Sequence, residues 1–175
     1  MFISRSSLWT RLNFKNVDKT RTYILRSNPL PLKMQLRQNP DTGYLNDAFT
    51  LVIPHLHRLK SLTIFAKGLP SVLGHFRTHA PLLEELDIYI TGLNYPVLDD
   101  ALFDGDISCL QRLSLQGVSN HFPWKNLANL RDLTLRSPPL GRRITQLLDL
   151  FESAPLLCTI ELEDYIPTSS DVPPE

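Results

Sequence analysis

Five times along the chain an aliphatic residue is followed by a second three positions later and a third two positions after that. The triplets are Leu59/Leu62/Ile64, Leu83/Leu86/Ile88, Leu110/Leu113/Leu115, Leu130/Leu133/Leu135 and Leu157/Ile160/Leu162. Their first positions are separated by 24, 27, 20 and 27 residues. Leucine is so abundant, 33 of 175 residues, that isolated matches arise by chance; the even return is what constrains the fold. Admitting other apolar residues extends the series backwards in phase to Pro31/Met34/Leu36 and then Trp9/Leu12/Phe14. A short strand carrying one triplet cannot bury its own apolar face, but stacked copies bury each triplet against the next and build one continuous core.

The segments between triplets have helical character. Asp18 is placed to cap a helix through Tyr23, Ile24 and Leu25 to Ser27, closed by Asn28-Pro29. Asn46 or Asp47 starts another through Phe49, Leu51 and Val52, ended by Pro54. Pro70 suits a first helical position, with Val72, Leu73 and Phe76 on one face before Ala80-Pro81. Ile144, Leu147, Leu148 and Phe151 repeat that arrangement before Ala154-Pro155. The shorter connectors, 99–103 and 120–126, have room for a turn of helix or 3₁₀. The repeat intervals fall in the roughly 20–29-residue period of leucine-rich repeats. The expected fold is therefore α/β, a leucine-rich-repeat solenoid or horseshoe with a parallel sheet on its concave side and helices on its convex side. About seven irregular repeats span residues 1–166, and residues 167–175, polar and proline-rich, form a disordered tail.

Strand side chains alternate, so the residues between the aliphatic positions face the open concave side. That row reads Lys33, Gln35, Arg37; Ser61, Thr63, Phe65; Glu85, Asp87, Tyr89; Arg112, Ser114, Gln116; Asp132, Thr134, Arg136; Thr159, Glu161, Glu163. Phe65 and Tyr89 are expected as exposed aromatic anchors, in a surface basic at one end and acidic at the other. Aromatic and Arg side chains are typical centres of binding energy. The candidate contacts are Phe65, Glu85, Asp87, Tyr89, Arg112, Gln116, Asp132, Arg136, Glu161 and Glu163.

Net charge is zero, 18 basic against 18 acidic residues, which argues against a dedicated nucleic-acid or polybasic membrane binder. The balance is uneven along the chain: residues 1–40 hold eight Lys/Arg and one Asp, leaving the remainder acidic. No run of about 18 apolar residues would span a bilayer. Cys109 and Cys158 cannot build a disulfide framework and read as small packing residues, pointing to a reducing cytoplasmic or nuclear setting. His75 and His79, four apart, lack the further ligands a closed metal site needs. The glycines are isolated, so no phosphate-binding loop exists. Neighbouring acids such as Glu84 and Glu85 point to opposite faces of a strand and give no paired-acid geometry. No catalytic residue, metal site or cofactor follows, and an enzyme is not expected.

Ser7-Leu8-Trp9-Thr10 leading to Leu12-Asn13-Phe14 resembles the end of an F-box domain, where a Leu-Trp pair opens the first strand of the following repeats. The phrases Ala80-Pro81-Leu82-Leu83-Glu84-Glu85-Leu86-Asp87-Ile88 and Leu127-Ala128-Asn129-Leu130-Arg131-Asp132-Leu133-Thr134-Leu135 resemble the leucine-rich repeats of F-box proteins, especially the large sets in mushroom-forming fungi. The resemblance implies a substrate-recruiting subunit of a cullin-type ubiquitin ligase, with a protein target on the concave face. It implies docking on the ligase adaptor only if an F-box precedes Met1, since the chain carries at most the last residues of that domain. The alternatives are a truncated structural repeat protein without a ligase role, and a decoy that binds targets without recruiting the ligase.

Overall fold

The computed structural model describes residues 5–14, 16–38, 44–67, 74, 76–92, 102–105, 107–118, 127–136 and 144–163. They form an α/β protein built on one seven-stranded parallel sheet. The strands are β1 (Arg11–Leu12), β2 (Leu32–Gln38), β3 (Leu59–Lys67), β4 (Glu85–Thr91), β5 (Arg112–Gln116), β6 (Asp132–Arg136) and β7 (Thr159–Glu163), and they lie side by side in chain order. The triplets set the register. Leu12, Met34, Leu62, Leu86, Leu113, Leu133 and Ile160 pair in one line across the sheet, and Leu36, Ile64, Ile88, Leu115, Leu135 and Leu162 in a second. The pairing slips once, where Lys60 is extra between Leu59 and Ser61 of β3.

A recurring turn feeds the later strands. In 80–83, 107–110, 127–130 and 154–157 the amide of the fourth residue donates to the carbonyl of the first, at 2.9–3.1 Å. The first residue (Ala80, Ile107, Leu127, Ala154) is buried, and the middle two are exposed. Pro81 and Pro155 occupy the second position, where a fixed φ near −65° suits a turn. The residue after each turn repeats a second contact: Glu84 O accepts from Gln111 and Arg112, Gln111 O from Arg131 and Asp132, and Arg131 O from Cys158 and Thr159, at 2.8–3.0 Å. The sheet ladder is thus continued into the turns.

The turn corrects the reading of the cysteines. Cys109 is a middle residue of 107–110 and Cys158 borders the edge strand; both are unpaired and exposed rather than packed. Leu82 and Leu156 are exposed for the same reason, as middle turn residues.

Behind the sheet the core is filled by the connections. Phe14, Phe49, Phe76 and Phe103, each from the stretch after one of the first four strands, are at most 2% exposed. They stand in a row, with centroid separations of 4.8 Å (stacked), 5.4 Å (edge-on) and 5.7 Å (tilted). The row does for the connections what the leucine lines do for the strands, adding aromatic geometry to burial. The Arg58 side chain is buried and ties down the chain between the helix Val17–Ser27 and the start of β2: Nε and Nη2 donate to Leu30 O at 3.0 and 2.6 Å, and Nη2 donates to Ser27 Oγ at 2.9 Å. Burial without an acid lowers its pKa.

Three α-helices are present among the described residues: α1 (Val17–Ser27), α2 (Tyr44–Val52) and α3 (Ile144–Ser153). Asn16, not Asp18, caps α1, its Oδ1 accepting from the Lys19 amide at 3.0 Å. Helix α2 ends at Val52, just ahead of Pro54 as expected, but the chain runs on as a 3₁₀ helix, Ile53–Arg58, with Pro54 in its first turn, where the missing N–H is harmless. The helix expected after Pro70 falls partly outside the described residues, but Phe76–Ala80 is not helical, because the Phe76 carbonyl accepts from Phe103 on the next connection instead. Helix α3 forms where expected yet faces differently: Leu150 and the following Ala154 are buried, while Leu148 and Phe151, assigned to its apolar side, are 53% and 40% exposed. In the connector after β4, Leu102–Gly105 makes a tight turn in which Phe103 and Asp104 take left-handed backbone angles, φ 54° and 56°, rather than the right-handed helical turn expected. The connector 120–126 and the tail 167–175 lie outside the described residues. Among the described residues no helix is long and apolar enough to cross a membrane.

Two expectations follow. Leu113→Ala, in the sealed middle of the sheet, should lower stability by about 3–4 kcal/mol, whereas Ile160→Ala, 44% exposed on β7, should lower it by about 1 kcal/mol in denaturant titration. Gly117 has φ +65°, and a Cβ there would collide with the Ile90 carbonyl, so Gly117→Ala should lose at least about 2 kcal/mol.

Candidate functional site

The face of the sheet away from the core is lined by three rows of paired residues. Row one runs Arg11, Lys33, Ser61, Glu85, Arg112, Asp132, Thr159; row two Gln35, Thr63, Asp87, Ser114, Thr134, Glu161; row three Arg37, Phe65, Tyr89, Gln116, Arg136, Glu163. All ten candidate contacts, Phe65, Glu85, Asp87, Tyr89, Arg112, Gln116, Asp132, Arg136, Glu161 and Glu163, are therefore gathered on one surface. The reason is elementary: parallel strands in fixed register bring like positions together, and alternation sends the triplets one way and these residues the other.

Neighbours in each row interact. Glu85 Oε1 is held by Arg112 Nη2 and lies 3.8 Å from Lys33 Nζ, so one carboxylate serves two cations. Thr63 Oγ1 donates to Asp87 Oδ2 at 3.2 Å. The Tyr89 hydroxyl is 3.4 Å from Ser114 Oγ. Arg136 is clamped between Glu161 Oε1 at 2.8 Å and Glu163 Oε2, whose 2.9 Å approach to Nε lacks hydrogen-bond alignment. Thr134 Oγ1 adds a 3.3 Å donor to Glu161. The Arg136 hydrogen bond holds the Glu161 carboxyl below its ordinary range and raises the guanidinium in turn.

Phe65 and Tyr89 are not free anchors as expected but a half-buried stacked pair, centroids 4.9 Å apart and planes 10° from parallel. Arg37 covers the outer side of the pair, its guanidinium carbon 5.1 Å from the Phe65 centroid, a cation–π contact. Two hollows flank the aromatics. The larger, about 370 Å³, lies over β1–β3 between Arg11, Asn13, Lys33, Gln35, Ser61 and Thr63, with Glu85 on its rim. The smaller, about 230 Å³, lies between Asp87, Tyr89, Arg112, Asp132 and Arg136.

Arg11, Asn13, Lys33 and Gln35 were not among the candidate contacts. Extending the triplets back to Leu12 already places Arg11 in phase with Lys33, and that was the available signal. Of the two histidines read as lacking further metal ligands, His75 lies outside the described residues, and His79 Nε2 is 3.0 Å from Asp104 Oδ2. Among the described residues no three His, Cys, Asp or Glu side chains gather as a metal site would require.

Comparison with family models, curated proteins and solved structures finds no match to this chain.

The pKa of the Asp87 carboxyl is raised. Burial is the main cause and the nearby Glu85 adds to it, against the Thr63 hydrogen bond and Arg112. A raised folded-state pKa means that the carboxyl's favourable contribution is full below the ordinary value of 3.8 and is lost as pH rises through the higher folded value. Asp87→Asn should therefore raise the melting temperature at pH 7, and the gain should shrink as the pH is lowered through the carboxylate range. Thermal melts across that range check it.

Proposed function

We propose that the chain is a non-enzymatic, leucine-rich-repeat solenoid of the kind that forms the substrate-recognition part of F-box ubiquitin-ligase adaptors, and that it binds a protein target on the polar sheet face. The observation that carries the reading is the continuous register, which slips only at Lys60. Six consecutive pairings keep row one aligned and five of them keep rows two and three, while the opposite face is buried from β1 to β6. Sheet-lined solenoids use such extended surfaces for binding. The half-buried Phe65–Tyr89 pair between cationic and acidic neighbours supplies the aromatic and Arg composition of an interface centre. Docking on a ligase adaptor belongs to this proposal only where an F-box precedes Met1. Two exposed, unpaired cysteines suit a reducing compartment, cytoplasmic or nuclear.

A second reading, a repeat protein with a purely structural role, draws on a different observation. Leu148, Phe151, Leu156, Ile160 and Leu162 expose 40–53% of their surface around α3 and β7. Association through that end would cover them. Solution mass across a concentration series separates the readings: assembly abolished by Ile160→Lys favours the structural role, and a monomer favours the binding face.

The binding test is a double substitution. Asp87→Ala with Tyr89→Ala should leave the circular dichroism spectrum and cooperative melting in place while abolishing capture of peptides selected on the wild-type chain. Capture that survives both changes places the contacts elsewhere.

A further inference from the structure

The polar face is not electrically uniform once its own ion pairs are counted. On β1–β3 it carries Arg11, Lys33, Arg37 and Lys67 and no acid. On β4–β7 it carries Arg112 and Arg136 against Glu85, Asp87, Asp132, Glu161 and Glu163. The cations of the second group are occupied: Arg112 by Glu85, and Arg136 by Glu161 and Glu163. In the first group only Lys33 has an acidic neighbour, Glu85 at 3.8 Å, and that carboxylate is shared with Arg112. Arg11 makes no ion pair among the described residues, and Arg37 lies against a ring rather than an acid. The positive charge of Arg11 and Lys33 therefore sits at the 370 Å³ hollow, whose other polar lining is neutral (Asn13, Gln35, Ser61, Thr63) except for Glu85, a carboxylate already held by Arg112 and shared with Lys33.

We infer that this hollow receives the carboxylate of an Asp or Glu side chain from an extended segment of the partner protein, and that the same segment lays an apolar or aromatic side chain on the Phe65–Tyr89 pair. The inference rests on the binding-face reading above and gives it a polarity. A planar guanidinium takes a carboxylate through two parallel N–H donors, so Arg11 supplies direction as well as charge, with Lys33 as a second, point-like cation. Charge complementarity at such a site governs partner choice and encounter rate. The spacing follows from the sheet. From the midpoint of Arg11 and Lys33 to that of Phe65 and Tyr89 is two strand spacings across and four residues along, about 16 Å on the diagonal. An extended chain covers that in about five residues.

The test uses a random 12-residue peptide library displayed on phage and selected on the full chain, followed by anisotropy titration of the best labelled peptide. Enriched peptides should carry Asp or Glu about five residues from a Phe, Tyr, Trp or Leu. Changing that acidic residue to its amide should weaken binding at least 10-fold, without touching the folded protein. Arg11→Gln with Lys33→Gln should weaken it comparably, and combining the peptide and protein changes should add little further loss. Binding that needs Tyr89 but shows no acidic preference, or an acidic preference that survives both protein substitutions, overturns the inference and leaves the binding face standing. Phosphoserine binding at least 10-fold tighter than the acidic residue overturns it too, by assigning the hollow to phosphate. Enriched peptides indifferent to both Phe65→Ala and Tyr89→Ala overturn the binding face itself, and this inference with it.

Discussion

Backbone pairing in fixed register is the constraint on which everything else in this protein depends. Seven parallel strands in chain order share their hydrogen bonds with at most two neighbours each, and only one pairing contains a slip. A shift by a single residue anywhere would turn every side chain of a strand to the other face. The apolar lines could not then close, and the polar rows could not align. Register is held from two sides. The leucine lines reward one alignment, and the four-residue turns fix where each later strand starts, because a buried first residue and a fourth residue that is buried (Leu83, Leu110, Leu130) or partly buried (Leu157) leave little freedom between them.

The two ends of the sheet are stabilised differently. The first four connections contribute the phenylalanine row and the buried Arg58 contacts, so the β1–β4 part has a second layer of packing behind the leucines. At β7 the corresponding triplet members Ile160 and Leu162 are 44% and 40% exposed, although they remain in register. In a stacked array, stability is close to a sum of unit and neighbour terms. The β7 end therefore opens at lower free energy than the middle, and exchange protection should fall towards it. The polar face inherits this gradient: the hollow beside Arg11 and the aromatic pair sit on the stiffer part, and the Arg136 clamp on the looser part.

Much of this was legible in the residues because it depends on periodicity. The triplets alone give the strands, their order, their inward lines and the outward rows that hold all ten candidate contacts. What escaped depends on contacts between units that share no period. The phenylalanines at 14, 49, 76 and 103, spaced 35, 27 and 27 residues apart, fall outside the strand triplets, and their alignment into a row is set by packing between connections. The non-helical run at 76–80 is decided by a hydrogen bond to the neighbouring connection, which overrides local helical patterning. Asn16 wins over Asp18 as a cap by two residues, within the usual imprecision of helix ends. Cys109 was misread because composition says cysteines pack, whereas its place in the turn exposes it. Phe65 and Tyr89 were rightly placed but wrongly imagined as separate: adjacency across paired strands stacks them, and stacking half-buries both.

The ion pairs of the polar face add little to folding, because exposed pairs of this kind contribute at most about 1 kcal/mol each and weaken with salt. Their consequence is geometric. Glu85 fixes Arg112, the two glutamates fix Arg136, and Arg37 is fixed against the Phe65 ring. Side chains already held in one arrangement lose less freedom when something binds, so a pre-paired surface is a pre-organised one. The same pairs also subtract themselves from the electrostatics. A chain with zero net charge thereby presents a face whose unspent charge is positive on β1–β3 and negative on β4–β7, where Asp87 and Asp132 make no ion pair among the described residues. Composition averages that asymmetry away, and charge counted along the sequence shows only that the first forty residues are basic. It takes the register to place Arg11 beside Lys33, set both over a polar hollow whose one carboxylate, Glu85, is already held by Arg112, and put the aromatic pair two strands away.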